Sequence, residues 1–224
     1  MKKQLVLASI ACLWAAQALA LDLDTDKKRF SYIVGLQIGQ QFKNDKIELD
    51  EAAFIAAIKD MAEGKQPQLS QTEIQATLQR FQQQRAAEAQ QAAETNRQEG
   101  EQFLASNSKK EGVKALPSGL QYKVIEAGTG ASPKPTDTVE VHYRGTLING
   151  TEFDSSYSRG QPASFPVNGV IQGWQEALPL MKEGAKWQIY VPSDLAYGSR
   201  GAGADIGPNS TLIFDIELLK IKNQ

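Results

Sequence analysis

The 224-residue sequence predicts an α+β protein: three N-terminal helices, the last of them long, then an antiparallel sheet that packs one face on a single short helix. Three observations predict it. Apolar residues recur every three or four positions up to Phe81, and every second position in several runs from Leu120 onward. These are the periods of helix and strand. Between the two regions, Gln82–Gln102 holds no proline and no large apolar residue, only Gln, Ala, Glu, Arg, Thr, Asn and one glycine. That composition favours helix but offers no face to bury.

Met1–Ala20 reads as a secretory leader. Lys2 and Lys3 form its basic start, Leu5–Ala16 its apolar stretch and Ala18-Leu19-Ala20 its cleavage site. The apolar stretch is shorter than the roughly 20 residues a membrane span needs. Cys12, the only cysteine, follows Ser9-Ile10-Ala11, a poor context for lipidation, and leaves with the leader. The mature chain then forms no disulfide. With one histidine and no cysteine it holds no zinc site of the usual kind, and neither metal nor cofactor is expected. A formal net charge of −2, made more acidic by loss of Lys2 and Lys3, argues against a nucleic-acid or anionic-membrane surface.

A first helix is expected from about 27 to 44, with Phe30, Val34, Ile38 and Phe42 on one face and Gly35 and Gly39 four apart. A second runs from about 50 to 64, with Asp50 as N-cap, Phe54, Ile58 and Met61 as its stripe and Gly64 as its stop. Two such helices bury little surface alone, so a partner is expected. The third opens with the capping box Ser70-Gln71-Thr72-Glu73 and carries Ile74, Leu78 and Phe81 on one face. Its polar continuation reads as a solvated bridge of roughly 55 Å, with Gly100 as its weakest point. The resulting organisation is 1–20 leader, 21–69 helical module, 70–106 long linker helix, 107–118 linker rich in Asn, Ser, Lys, Gly and Pro, and 119–224 second domain.

In that domain Leu120, Tyr122 and Val124 alternate as a strand. In the next, Val139, Val141 and Tyr143 face one way and Glu140, His142 and Arg144 the other. Asn149-Gly150 signals a hairpin that returns with Phe153 and Asp154 side by side. A short strand at 163–167, a short helix from Val170 to Leu178, and strands with Trp187, Ile189 and Val191 and with Leu212, Phe214, Ile216 and Leu218 inward complete it. The usual catalytic constellations are missing. His142 lies on the polar face of its strand, so a Ser-His-Asp triad fails. Gly198–Gly207 is glycine-rich but lacks the Lys-Ser/Thr of a phosphate loop and leads into a strand; it reads as an irregular flap.

V-H-Y-R-G-T-L at 141–147, N-G-T-E-F-D-S-S at 149–156, Val170-Ile171-x-Gly173-Trp174, Leu195-Ala196-Tyr197-Gly198 and T-L-I-F-D-I-E-L-L at 211–219 together resemble the FKBP-type peptidyl-prolyl cis-trans isomerases. Order and spacing match from about Gly119 to Lys222, and the preceding region resembles the helical dimerisation arm of their Mip-like and FkpA-like bacterial envelope members. The resemblance implies a curved antiparallel sheet wrapped on the short helix, with the active pocket between them. Trp174 would form the pocket floor and Tyr143, Phe153 and Phe214 its walls, with Val170 and Ile171 beside them. The Ile171 N–H and the Tyr197 hydroxyl would bind substrate carbonyls. Asp154 would sit near the twisting carbonyl or orient Tyr143, and Ile206 would close the flap side. Catalysis is thus assigned to Asp154, Tyr197 and Tyr143. Many relatives carry a bulky residue where this chain has Ala163, which opens the pocket there.

The expected protein is a periplasmic prolyl isomerase that assists folding of exported polypeptides. The resemblance implies a homodimer through residues 21–80, a rapamycin-like macrolide as inhibitor, and an outer-membrane or surface association in some relatives. Two other classes compete. In one, a dimeric holdase chaperone of the periplasm, isomerisation is secondary and the helical arm does the work. The other is a surface factor that binds host matrix, for which the sequence holds no binding signature.

Overall fold

The computed structural model describes residues 21–44 and 47–222. The leader lies outside the described residues. The chain divides into two compact units between Glu48 and Leu49.

The first unit is one helix, α1 (Asp26–Asn44). None of its side chains is buried, and Phe30, Tyr32, Ile33 and Leu36 are all about half exposed or more. Around Gly35 and Gly39 nothing approaches within 4 Å of where a Cβ would sit. A shallow groove of about 770 Å³ runs along this face, lined by Leu21, Tyr32, Gly35, Leu36 and Gly39 among others.

The second unit begins with α2 (Glu51–Ala62), capped by Asp50, whose Oδ1 accepts from the Ala53 N–H at 2.8 Å. Helix α3 (Gln71–Asn107) starts with the expected reciprocal box: the Glu73 N–H donates to Ser70 Oγ at 3.2 Å, and the Ser70 N–H donates to Glu73 Oε2 at 2.8 Å. The polar stretch is helical throughout. Its exposed side is laced by Arg97, which donates to Glu94 and Glu101 one turn away on either side at 2.7 Å.

The sheet has the order β1-β2-β6-β7-β3-β4, with β5 also paired to β3, and every pairing is antiparallel. The strands are β1 (Val113–Ala115), β2 (Gln121–Ala127), β3 (Thr138–Leu147), β4 (Glu152–Ser155), β5 (Ala163–Pro166), β6 (Ala185–Val191) and β7 (Leu212–Lys222). Strand β1 lies in the stretch expected to be linker; it pairs to β2 through Val113–Lys123 and Ala115–Gln121. Alternation on β3 is as read: Val139, Val141 and Tyr143 are buried. Register brings Tyr143 opposite Ile216 and Gly145 opposite Phe214, so the inner faces of β3, β6 and β7 form one apolar surface. Bulges at Glu140/Val141 and Gly145/Thr146 break the ladder and bend the sheet around α4 (Gln172–Ala177). In the β3–β4 turn only Gly150 takes positive φ, at +87°.

Helix α4 rests on the sheet at close range. A Cβ at Gly173 would stand 2.5 Å from Val191 Cγ1, so only glycine lets the helix seat Trp174, Ala177 and Leu178 in the core. The reading of α3 as a solvated bridge fails at its C-terminal end. Gly100 and Asn107 are buried there, Gln121 Nε2 donates to the Leu104 carbonyl at 2.9 Å, and Phe103 meets Tyr190 at 5.9 Å. Close packing against Thr211 explains the glycine that looked like a weak point. The composition gave little hint of this, because up to Gly100 the docked face is made of Ala, Asn and Gly, and large apolar residues join it only at Phe103 and Leu104.

Candidate active site

A cavity of about 430 Å³ opens between α4 and the concave face of the sheet, lined by Tyr143, Phe153, Asp154, Phe165, Gly169, Val170, Ile171, Trp174, Tyr197 and Phe214. Eight of the nine residues assigned to the site from sequence are in this lining. The ninth, Ile206, belongs to an adjoining recess that shares Phe153, Asp154 and Tyr197 and continues along the flap through Ala202–Ile206.

Trp174 organises the aromatic part. Its indole meets Tyr143 at 5.5 Å and 86°, Phe165 at 6.0 Å and 84°, and Phe214 at 5.3 Å and 87°. Phe153 stands edge-on to Phe214 at 5.6 Å. Edge-to-face contacts of this kind add about 0.5–1.5 kcal/mol each beyond burial, and they lock the rings into a stiff box. Each ring comes from a different element: β3, β4, β5, α4 and β7. Gly145 makes room for the box, since a Cβ there would be 2.6 Å from Phe153 Cζ and 2.9 Å from Phe214 Cε1. Val170 and Ile171 enter on the approach to α4, where Ile171 is the N-cap residue and its carbonyl accepts from the Trp174 N–H at 2.9 Å.

The polar rim is a three-residue cluster. Tyr143 Oη donates to Asp154 Oδ2, Arg159 Nη1 donates to Asp154 Oδ1, and Arg159 Nη2 donates to Tyr143 Oη at 2.8 Å. The guanidinium also lies 5.5 Å from the Tyr143 ring centroid. Burial works against charge on Asp154, but hydrogen bonds from Tyr143 and Arg159 and the guanidinium's charge outweigh it and hold the carboxyl below the usual carboxylate range. Burial, then the hydrogen bond to Asp154, pushes the Tyr143 phenol up. Tyr197 is likewise raised, by burial and then by the charge of Asp154. The rim therefore carries a fixed ion pair and two neutral phenols, with no group poised to exchange protons near neutral pH.

Arg159 at the rim and Phe165 and Gly169 in the lining escaped the sequence reading. Arg159 follows Asp154 by five positions in the turn that Gly160 closes, and a basic residue so near that carboxylate was the available signal. Phe165 lies two positions past Ala163 on β5 and shares its face. Ala163 packs against the core, while Phe165 reaches the cavity. Trp187 is core, as read, stacked on Tyr122 at 4.5 Å. His142 lies on the outer face and is half-buried there: it stacks on Tyr157 at 4.6 Å, with Nδ1 2.9 Å from Ser156 Oγ.

Comparison with known proteins agrees with this geometry. The profile of the FKBP-type peptidyl-prolyl cis-trans isomerases matches residues 130–219, and that of the domain amino terminal to such isomerases matches residues 27–124. The chain is 46% identical over 230 residues to outer membrane protein MIP of Legionella longbeachae, covering 99% of both chains. It is 49% identical over 199 residues to the FKBP-type 22 kDa peptidyl-prolyl cis-trans isomerase of Escherichia coli strain K12, covering 88% of this chain and 97% of that one. The crystal structure of FkpA from Escherichia coli superposes with a TM-score of 0.63 at 41% identity, over 89% of this chain and 98% of that one. With family profiles matched across residues 27–219 and relatives 46% and 49% identical over most of their length, the chain belongs to the FKBP-type peptidyl-prolyl cis-trans isomerase family.

Proposed function

We propose that the enzyme isomerises Xaa-Pro bonds in exported polypeptides by taking the proline ring into the box around Trp174. The observation that carries this reading is the combination, in the cavity lining, of six aromatic or phenolic rings with one carboxylate paired on both oxygens. Rotation about an Xaa-Pro amide crosses a barrier of about 18–20 kcal/mol and breaks no covalent bond, so it needs neither nucleophile nor proton shuttle. The twisted amide is less dipolar than the planar one. A dry apolar pocket therefore penalises the ground state more than the transition state. Each tenfold of rate requires about 1.4 kcal/mol of such differential binding. In this scheme the Tyr197 hydroxyl and the Ile171 N–H hold substrate carbonyls, Asp154 faces the twisting carbonyl, and Arg159 fixes Asp154 and Tyr143 in place.

The rim predicts a pH profile. Because its native pKa is lowered, Asp154 keeps its charge, and its contribution to stability, above the ordinary carboxylate value; both are lost only as pH falls through the lowered native value. Followed by NMR exchange on a short peptide, kcat/KM should hold down to about pH 5 and decline only below about pH 4. A decline centred near pH 6 would contradict the assigned rim.

The apolar faces of α1 and α2 are assigned to a second copy of the chain. Phe30, Leu36, Ile55, Ile58 and Met61 are each at least half exposed in the single chain, more apolar surface than a monomer ordinarily leaves in water. The glycines at 35 and 39 leave the α1 face bare for close approach. The holdase alternative would leave these faces for clients instead. Leu36→Asp should convert a dimer to a monomer by light scattering, leaving short-peptide turnover within about twofold of wild type. A wild-type chain that runs as a monomer would return these faces to client binding. The leader reading and the relative named outer membrane protein MIP support export, with the periplasm as the working compartment.

A further inference from the structure

We propose that the stalk helix is a positioning element for the active pocket: through Asn96 and Gly100, α3 braces the loop from Tyr197 to Thr211 and so sets where Tyr197 and Ile206 stand. This rests on the isomerase reading of the pocket and adds residues to it from outside the isomerase-like domain.

The loop is soft by composition. Gly198, Gly201 and Gly203 all take positive φ, as does Asn209 at +56°, and such a segment loses much conformational entropy when it is held. Backbone bonds within the loop give it part of its shape. The Ala202 and Ile206 backbones exchange hydrogen bonds at 2.8 and 3.1 Å, and the Asn209 N–H donates to the Gly198 carbonyl at 2.9 Å, drawing the two ends together. Ile206 and Ala202 also pack on the core, and further restraints come from α3. Asn96 Nδ2 donates to the Pro208 carbonyl at 2.8 Å and reaches Ser210 Oγ at 3.4 Å. Asn209 Nδ2 donates back to the Ala93 carbonyl at 3.2 Å. Helix and loop meet without a gap at Gly100, where a Cβ would overlap Thr211 Oγ1 and lie 3.3 Å from Thr211 Cβ.

The helix can act as a brace because it is itself anchored to the sheet. Gln121 Nε2 donates to the Leu104 carbonyl, and Asn107 Nδ2 donates to Gln121 Oε1 at 3.0 Å. The braced loop starts at Tyr197, on the pocket rim, passes Ile206, which lines the adjoining recess, and ends at β7, whose Phe214 forms a wall. A loop that leaves this position removes one side of the pocket before any substrate is bound. Apparent affinity then falls in proportion to the competent fraction, while turnover of bound substrate is retained.

The test uses the full-length chain. Asn96→Asp keeps the side-chain shape but replaces the donor with a carboxylate facing a carbonyl. Gly100→Ala pushes helix and loop apart, and Gly100→Ala with Thr211→Ala removes the hydroxyl in the way. Amide exchange at Ala202 and Ile206 should quicken about fivefold in each single variant, with Tyr143 and Ile216 in the sheet unchanged. KM for a short Xaa-Pro peptide should rise about threefold at unchanged kcat, and the double variant should return both quantities toward wild type. Wild-type exchange at Ala202 and Ile206 in both single variants would overturn the brace, as would quickened exchange with unchanged KM. A wild-type chain without isomerase activity would overturn the reading of the pocket, while the exchange comparison would still decide whether the helix holds the loop.

Discussion

Gly145→Val lowers kcat/KM for a short Xaa-Pro peptide by about 100-fold, a loss of about 2.7 kcal/mol of transition-state stabilisation. The backbone has no objection to valine, since position 145 lies in β3 paired with Phe214 on one side and Asp154 on the other. The objection is steric. The first carbon of any side chain would stand 2.6 Å from Phe153 and 2.9 Å from Phe214, and both rings must swing into the cavity or away from Trp174. Overfilling of this kind costs about 1–3 kcal/mol of stability, so the fold survives while the pocket does not. Turnover should be compared per folded molecule after a urea titration of each protein. A variant with near-wild-type turnover would show that the walls formed by Phe153 and Phe214 are not where proline is held.

Trp174→Leu and Trp187→Leu make the second prediction, and it lies in their difference. The two indoles are similarly buried, at 4% and 6% exposure, and each should cost about 3 kcal/mol of stability when shortened, near the low end of truncation to alanine. Only one of them faces the cavity. Trp174→Leu removes the floor against which Tyr143, Phe165 and Phe214 are set, and should lower kcat/KM more than about tenfold. Trp187→Leu removes a stacking partner of Tyr122 and should leave turnover per folded molecule within about twofold. Equal losses in the two variants would mean that activity tracks stability and that Trp174 has no special place.

Much of this was legible in the sequence because strands advertise their faces. Alternation from Val139 to Tyr143 fixed which side of β3 would be buried, and the Asn149-Gly150 turn carried Phe153 and Asp154 to the rim. Helix starts were equally readable, since Asp50 and Ser70 cap by local contacts that depend on a few neighbours. What escaped depends on approach between distant segments. The docking of α3 rests on Asn96, Gly100, Asn107 and Gln121, small or polar residues whose periodicity carries no apolar signal. Strand β1 is only three residues long and sits in a polar stretch. Arg159 enters the site because a turn folds it back over Tyr143; its place five residues after Asp154 signals nearness but not that fold-back.

The measurement that tests the account most directly is two-dimensional exchange NMR on a short Xaa-Pro peptide with catalytic amounts of wild-type protein and of Gly145→Val. Uncatalysed exchange takes tens to hundreds of seconds. Exchange cross-peaks that appear within about a second with the wild type, and are lost with the variant at equal folded concentration, are the predicted result. Wild-type protein that leaves exchange at its uncatalysed rate would contradict the claim that this aromatic box turns prolyl bonds.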